Sequence, residues 1–123
     1  MNTPKIKANE LRIGNIIMFT KANGEQKYHE VHPHDIEEVY DNEERTDCHC
    51  VELTEEWLLK FGFETHDNWQ HTWLFKNGFG VNYHAKEWYW NDLSQNRKLE
   101  YVHSLQNLYF AITGEELQIN HKA

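Results

Sequence analysis

The chain has 123 residues, 39% of them hydrophobic, with 12 basic side chains against 20 acidic ones and a formal net charge of −8. This length suits a single domain, residues 1–123, with its own core, and five Trp, six Tyr and six Phe rings exclude a disordered chain. An acidic excess argues against direct nucleic-acid binding; no apolar run nears the roughly 18 residues of a membrane helix, and Met1–Lys7 leads into no signal-peptide core.

Leu11 to Phe19 reads as a strand by its β-branched content, with Gly14 marking a bend or bulge. Asn23-Gly24 supplies hairpin turn chemistry, because both residues tolerate positive φ, and the partner strand runs from Lys27 to Val31, ending near Pro33. Asp35 to Tyr40 fits either a strand or a short helical turn. Asp41 to Asp47 reads as an exposed acidic loop, and Cys48 to Leu53 as a further strand.

Thr54 is a candidate N-cap, with Glu55 and Glu56 placed to complement the helix dipole. Trp57, Leu58, Leu59 and Phe61 form the apolar body of that helix, and Gly62 occupies the C′ position. An aromatic hairpin spans about 69–90 around Asn77-Gly78. A two-residue loop there pairs Phe75 with Gly80, Trp73 with Asn82, His71 with His84 and Trp69 with Lys86 on one face. It pairs Leu74 with Val81, Lys76 with Phe79 and Thr72 with Tyr83 on the other, which is the natural core side. A second helix, about 99–113, carries Val102, Leu105, Leu108 or Tyr109, and Ile112 at helical spacing and ends at Gly114; a closing strand over Glu116–Ile119 is expected. These elements predict an α+β fold: a twisted, mainly antiparallel sheet of five to seven strands with two helices packed on it.

Charge is concentrated in one segment. From His29 to Glu56 eleven acids accompany one base, Arg45, a local charge of −10; the other residues carry nine acids and eleven bases. A single-sign field of this kind steers association with a basic partner. The expected contact is an acidic arm of Glu37, Glu38, Asp41, Glu43, Glu44 and Asp47, with Trp69, Trp73, Phe75 and Trp88 as an aromatic face. At the ordinary imidazole pKa of about 6.5, protonating all nine histidines moves the formal charge from −8 to +1. Attraction to a basic partner should therefore fade below about pH 6.

Cys48 and Cys50 are too close in sequence for an unstrained bridge, which fits a reduced, cytoplasmic protein. With His32 and His34 they are candidate metal ligands, yet the paired knuckles of structural zinc sites are missing from the sequence, so no cofactor is expected. Catalysis is not expected either. The two serines, Ser94 and Ser104, lie in no nucleophile-elbow context, and there is no phosphate-cradling glycine loop.

Three stretches together carry a resemblance: Glu10–Asn15 (ELRIGN), Leu53–Phe63 (LTEEWLLKFGF) and Tyr101–Leu117 (YVHSLQNLYFAITGEEL). The chain resembles small uncharacterised proteins of phages and prophages of Bacteroidetes-type bacteria. The resemblance implies a small accessory protein acting in the host cytoplasm and supplies no catalytic residues. By class, though not by motif, small acidic phage proteins are similar to inhibitors of host nucleic-acid-handling or defence proteins, anti-CRISPR proteins among them. The expected function is thus inhibition of such a protein; the alternatives are a metal- or ligand-binding domain and a self-associating assembly module.

Overall fold

The computed structural model describes residues 6, 8–20, 23–41, 48–65, 72–84, 86–91 and 96–119. It is α+β and divides into two compact units, Met1–Glu52 with Tyr101–His103, and Leu53–Glu100 with Ser104–Ala123. The strands accordingly form two antiparallel sheets, where the sequence suggested one. No helix among the described residues is long and apolar enough to cross a membrane.

The first unit holds a 3-10 turn (Ala8–Glu10), strands β1 (Ile16–Thr20) and β2 (Gln26–Glu30), helix α1 (Pro33–Asp41) and the short strand β3 (Cys48–His49). Its sheet has the order β2-β1-β3. The expected long first strand is shortened by a turn at Arg12–Asn15. Gly14 sits there at φ +94, the Asn15 side chain accepts from the Arg12 N–H at 2.6 Å, and Asn15 is buried. Only a residue without Cβ adopts that φ without strain. Ile6, Leu11, Ile17, Val31, Val39, Cys48 and Cys50 form the core of this unit, with Ile36 and Tyr101 packed against it.

Asp35–Tyr40 is helical, which settles the ambiguity of the sequence. Pro33 occupies the first helical position, where its missing N–H costs nothing. Asp35 reaches back to accept from the His32 N–H at 2.8 Å, half of a capping box. Cys48–Leu53 is a strand only over Cys48–His49; beyond it, Glu52 bridges Tyr101, and Val102 N–H donates to the Val51 carbonyl.

The second unit holds helix α2 (Glu55–Lys60), strands β4 (Glu64–Thr65), β5 (Thr72–Lys76), β6 (Phe79–His84), β7 (Glu87–Asn91) and β8 (Asn96–Leu99), paired in sequence order, and the rest of helix α3 (Val102–Thr113). Helix α2 follows its sequence signals at both ends. Thr54 accepts from the Trp57 N–H, and Gly62, at φ +93, and Phe63 donate to the Leu59 and Leu58 carbonyls in a Schellman motif.

The Asn77-Gly78 hairpin has the expected register throughout its described length: Phe75 with Gly80, Trp73 with Asn82, Leu74 with Val81, Lys76 with Phe79 and Thr72 with Tyr83. Trp69 and His71 lie outside the described residues. The second strand of this hairpin does not run on to Trp90. It ends at His84, and Lys86 takes a left-handed φ of +68 before β7 returns, pairing Tyr83 with Trp88 and Val81 with Trp90. No Gly, Asn or Pro announces that turn, so the sequence hides it. Leu99 belongs to β8 rather than to α3. The expected closing strand is not one; Leu117 is buried, and its carbonyl accepts from Gln106.

Leu74, Val81, Phe79 and Trp88 line the core face of the five-stranded sheet, with Leu105 and Tyr109 of α3 also buried. Tyr109 meets Phe79 and Phe63 edge-on, at 5.2 and 6.3 Å. The buried stripe of α3 chooses Tyr109 over Leu108, and Ile112, 52% exposed, does not belong to it.

Candidate functional site

Two clusters in the first unit bring chemistry-bearing side chains together. The first is built on the start of α1. Asp35 Oδ2 lies 2.8 Å from His29 Nε2 on β2, its Oδ1 lies 3.4 Å from His34 Nε2, and His32 and His34 stack with their centroids 6.0 Å apart. Burial alone would raise the Asp35 pKa. It is outweighed by the hydrogen bond from the His32 N–H and by the nearby His29 and His34 rings, which together hold the carboxyl below its ordinary value. This arrangement anchors α1. Within the described residues it does not combine His32 and His34 with the cysteines as a ligand set.

From that anchor α1 presents an acidic outer surface. Val39 is buried and Ile36 half-buried, while Glu37, Glu38 and Asp41 are exposed. Tyr40, three residues after Glu37 and next to Asp41 in sequence, is 74% exposed. The last turn of α1 has no basic residue and carries Asp41. A helix C-terminus already bears a partial negative charge, so a carboxylate there adds to the local negative field at some cost to the helix. Glu43, Glu44 and Asp47 of the expected acidic arm lie outside the described residues.

The second cluster joins three segments distant in sequence. Glu10 at the end of the 3-10 turn, Cys50 just after β3 and His103 in the first turn of α3 offer an oxygen, a sulfur and a nitrogen, all within 4.8 Å of one another. Cys50 is 3% exposed and His103 2%. Neither cysteine is disulfide-bonded. His103 Nε2 lies 3.2 Å from Glu10 Oε2, while its buried Nδ1 has no hydrogen-bond partner among the described residues. The Tyr101 ring stacks on the imidazole at 5.9 Å. Of these three donors, sequence reasoning singled out only Cys50. Glu10 and His103 are each unremarkable in their neighbourhoods, and only the fold joins positions 93 residues apart.

The expected aromatic face divides: Trp73 and Phe75 share one side of the sheet, Trp88 lies on the other, and Trp69 lies outside the described residues. Trp73 and Phe75 stack on one another at 5.6 Å and are half-buried on the face of β5 opposite Leu74. Trp88 points the other way, into the core beside Tyr83, and is no contact residue. Register explains this: pairing with Tyr83 puts Trp88 on the core face of the sheet. Beside Trp73 and Asn82 the same outer face carries Tyr89 and Lys98. Lys98 bonds Glu87 at 2.7 Å, and the Tyr89 hydroxyl donates to Glu87 at 2.9 Å. The Lys98 hydrogen bond lowers the Glu87 pKa, and Glu87 in turn raises those of Lys98 and Tyr89.

Comparison with protein-family models, with curated proteins and with solved structures finds no match.

Proposed function

We propose that the chain is a protein-binding module that engages a basic surface through helix α1. The partner class we favour is a bacterial nucleic-acid-handling or defence protein, which the module would inhibit by occupying its basic groove. One observation carries this reading: Glu37, Glu38 and Asp41 are all exposed, as is the Tyr40 ring beside them, on a helix whose last turn has no basic residue. A surface of like charge guides a basic partner in, and an exposed aromatic ring beside it supplies contact area once water is expelled. The anchor is thus Tyr40, on the acidic helix itself, in place of the tryptophans that the sequence suggested.

The test is retention from a bacterial lysate on the immobilised full chain, beside the triple variant Glu37→Lys, Glu38→Lys, Asp41→Lys. Basic nucleic-acid-binding proteins should be held by the wild type, released by salt and lost from the variant. Equal retention by both chains, or no such protein on either, overturns the proposal.

A further inference from the structure

We infer that Glu10, Cys50 and His103 form a binding site for a single zinc ion. The donor set is the first reason. A thiolate and an imidazole suit zinc's borderline-soft character, and a carboxylate is its other common ligand. The charge is the second. One thiolate, one carboxylate and one neutral imidazole cancel the two positive charges of the ion. The complex is then neutral overall, the least costly form in which to bury an ion among residues as enclosed as Cys50 and His103.

Geometry is the third reason. With zinc–ligand distances of roughly 2.0–2.3 Å, neighbouring ligand atoms of a tetrahedral site lie about 3.3–3.6 Å apart. The 3.2 Å between His103 Nε2 and Glu10 Oε2 is close to such an edge, while it is long for a charge-assisted hydrogen bond. The remaining separations, within 4.8 Å, close by small side-chain movements. Three protein ligands leave the fourth position to water or to an incoming group.

The site is independent of the α1 surface, so its test is separate. The full chain is stripped with a chelator and titrated with zinc chloride, followed by calorimetry and native mass spectrometry. One zinc per chain is expected, with a melting temperature that rises with zinc concentration. Cys50→Ser, His103→Gln and Glu10→Gln should each weaken zinc binding by more than the roughly 10–100-fold that loss of a mere supporting residue costs. Cys48→Ser and the double variant His32→Ala, His34→Ala should bind as the wild type does. Cobalt substitution of the wild type needs no variant to fold: a thiolate-to-cobalt charge-transfer band is expected. Absence of that band, failure to bind stoichiometric zinc, or undiminished binding by Cys50→Ser overturns the site.

Discussion

The Phe75 ring lies over Gly80 on the neighbouring strand, so close that a Cβ on Gly80 would stand 2.8 Å from its Cε1. The glycine is needed there for space and not for its backbone, since its φ is not in the left-handed region. Phe75 cannot simply move aside, because it stacks on Trp73. Gly80→Ala should therefore destabilise the protein by about 1–3 kcal/mol, the range for overpacking. Urea unfolding measures it, and Gly80→Ala combined with Phe75→Leu should recover part of the loss.

Asp35 gives a pH signature with a definite sign. Its folded pKa lies below the ordinary 3.8, so its contribution is complete above about that value and is lost as pH falls through the folded one. Asp35→Ala removes the acceptor for the His32 N–H and for His29, and should cost about 1–2 kcal/mol at neutral pH. The gap between wild type and variant should narrow in urea titrations carried below pH 3.8. A gap that stays constant to pH 2 would contradict this account.

Asp41 stands at the negative end of a helix dipole. Asp41→Lys should raise stability by about 0.3–1 kcal/mol at low salt, an advantage that fades as salt is added. The same substitution should weaken retention of a basic partner. A gain in stability paired with a loss of binding is what a surface shaped for association gives; a binding loss with no gain in stability would argue against the dipole account.

On α3 the contrast is between Tyr109 and Ile112, three residues apart. Tyr109→Ala removes a buried ring that meets Phe79 and Phe63 and whose hydroxyl accepts from Asn77, and should cost about 3–5 kcal/mol. Ile112→Ala, on the exposed side, should change stability by less than about 0.5 kcal/mol. Thermal unfolding of the two variants checks the burial stripe directly.

Local chemistry made much of this fold legible in the sequence. Thr54 and Gly62 mark α2 because each satisfies helix-end groups through its immediate neighbours, and Asn77-Gly78 sets a register because its loop admits only one. The turn at Lys86 escaped because a lysine there adopts a left-handed φ that its residue type does not announce. Helix α1 stayed undecided between strand and helical turn because its start rests on His32, Pro33 and Asp35 acting together. The acidic surface was readable as composition, but the exposure of Tyr40 beside it depends on which side of α1 Val39 buries. The Glu10, Cys50 and His103 group was least legible, because nothing in any of the three segments refers to the other two.

The first unit is built from two stretches of the chain, Met1–Glu52 and Tyr101–His103, with residues 53–100 between them. Its bridge between Glu52 and Tyr101, the bond from Val102 to Val51, and His103 itself all require a segment that a ribosome delivers only after residues 53–100. Domains usually fold in the order in which they are made; here the unit that holds residues up to Glu52 waits for Tyr101–His103. A chain that stops before His103 lacks the third member beside Glu10 and Cys50, so the three come together only after residues 53–100 have been made.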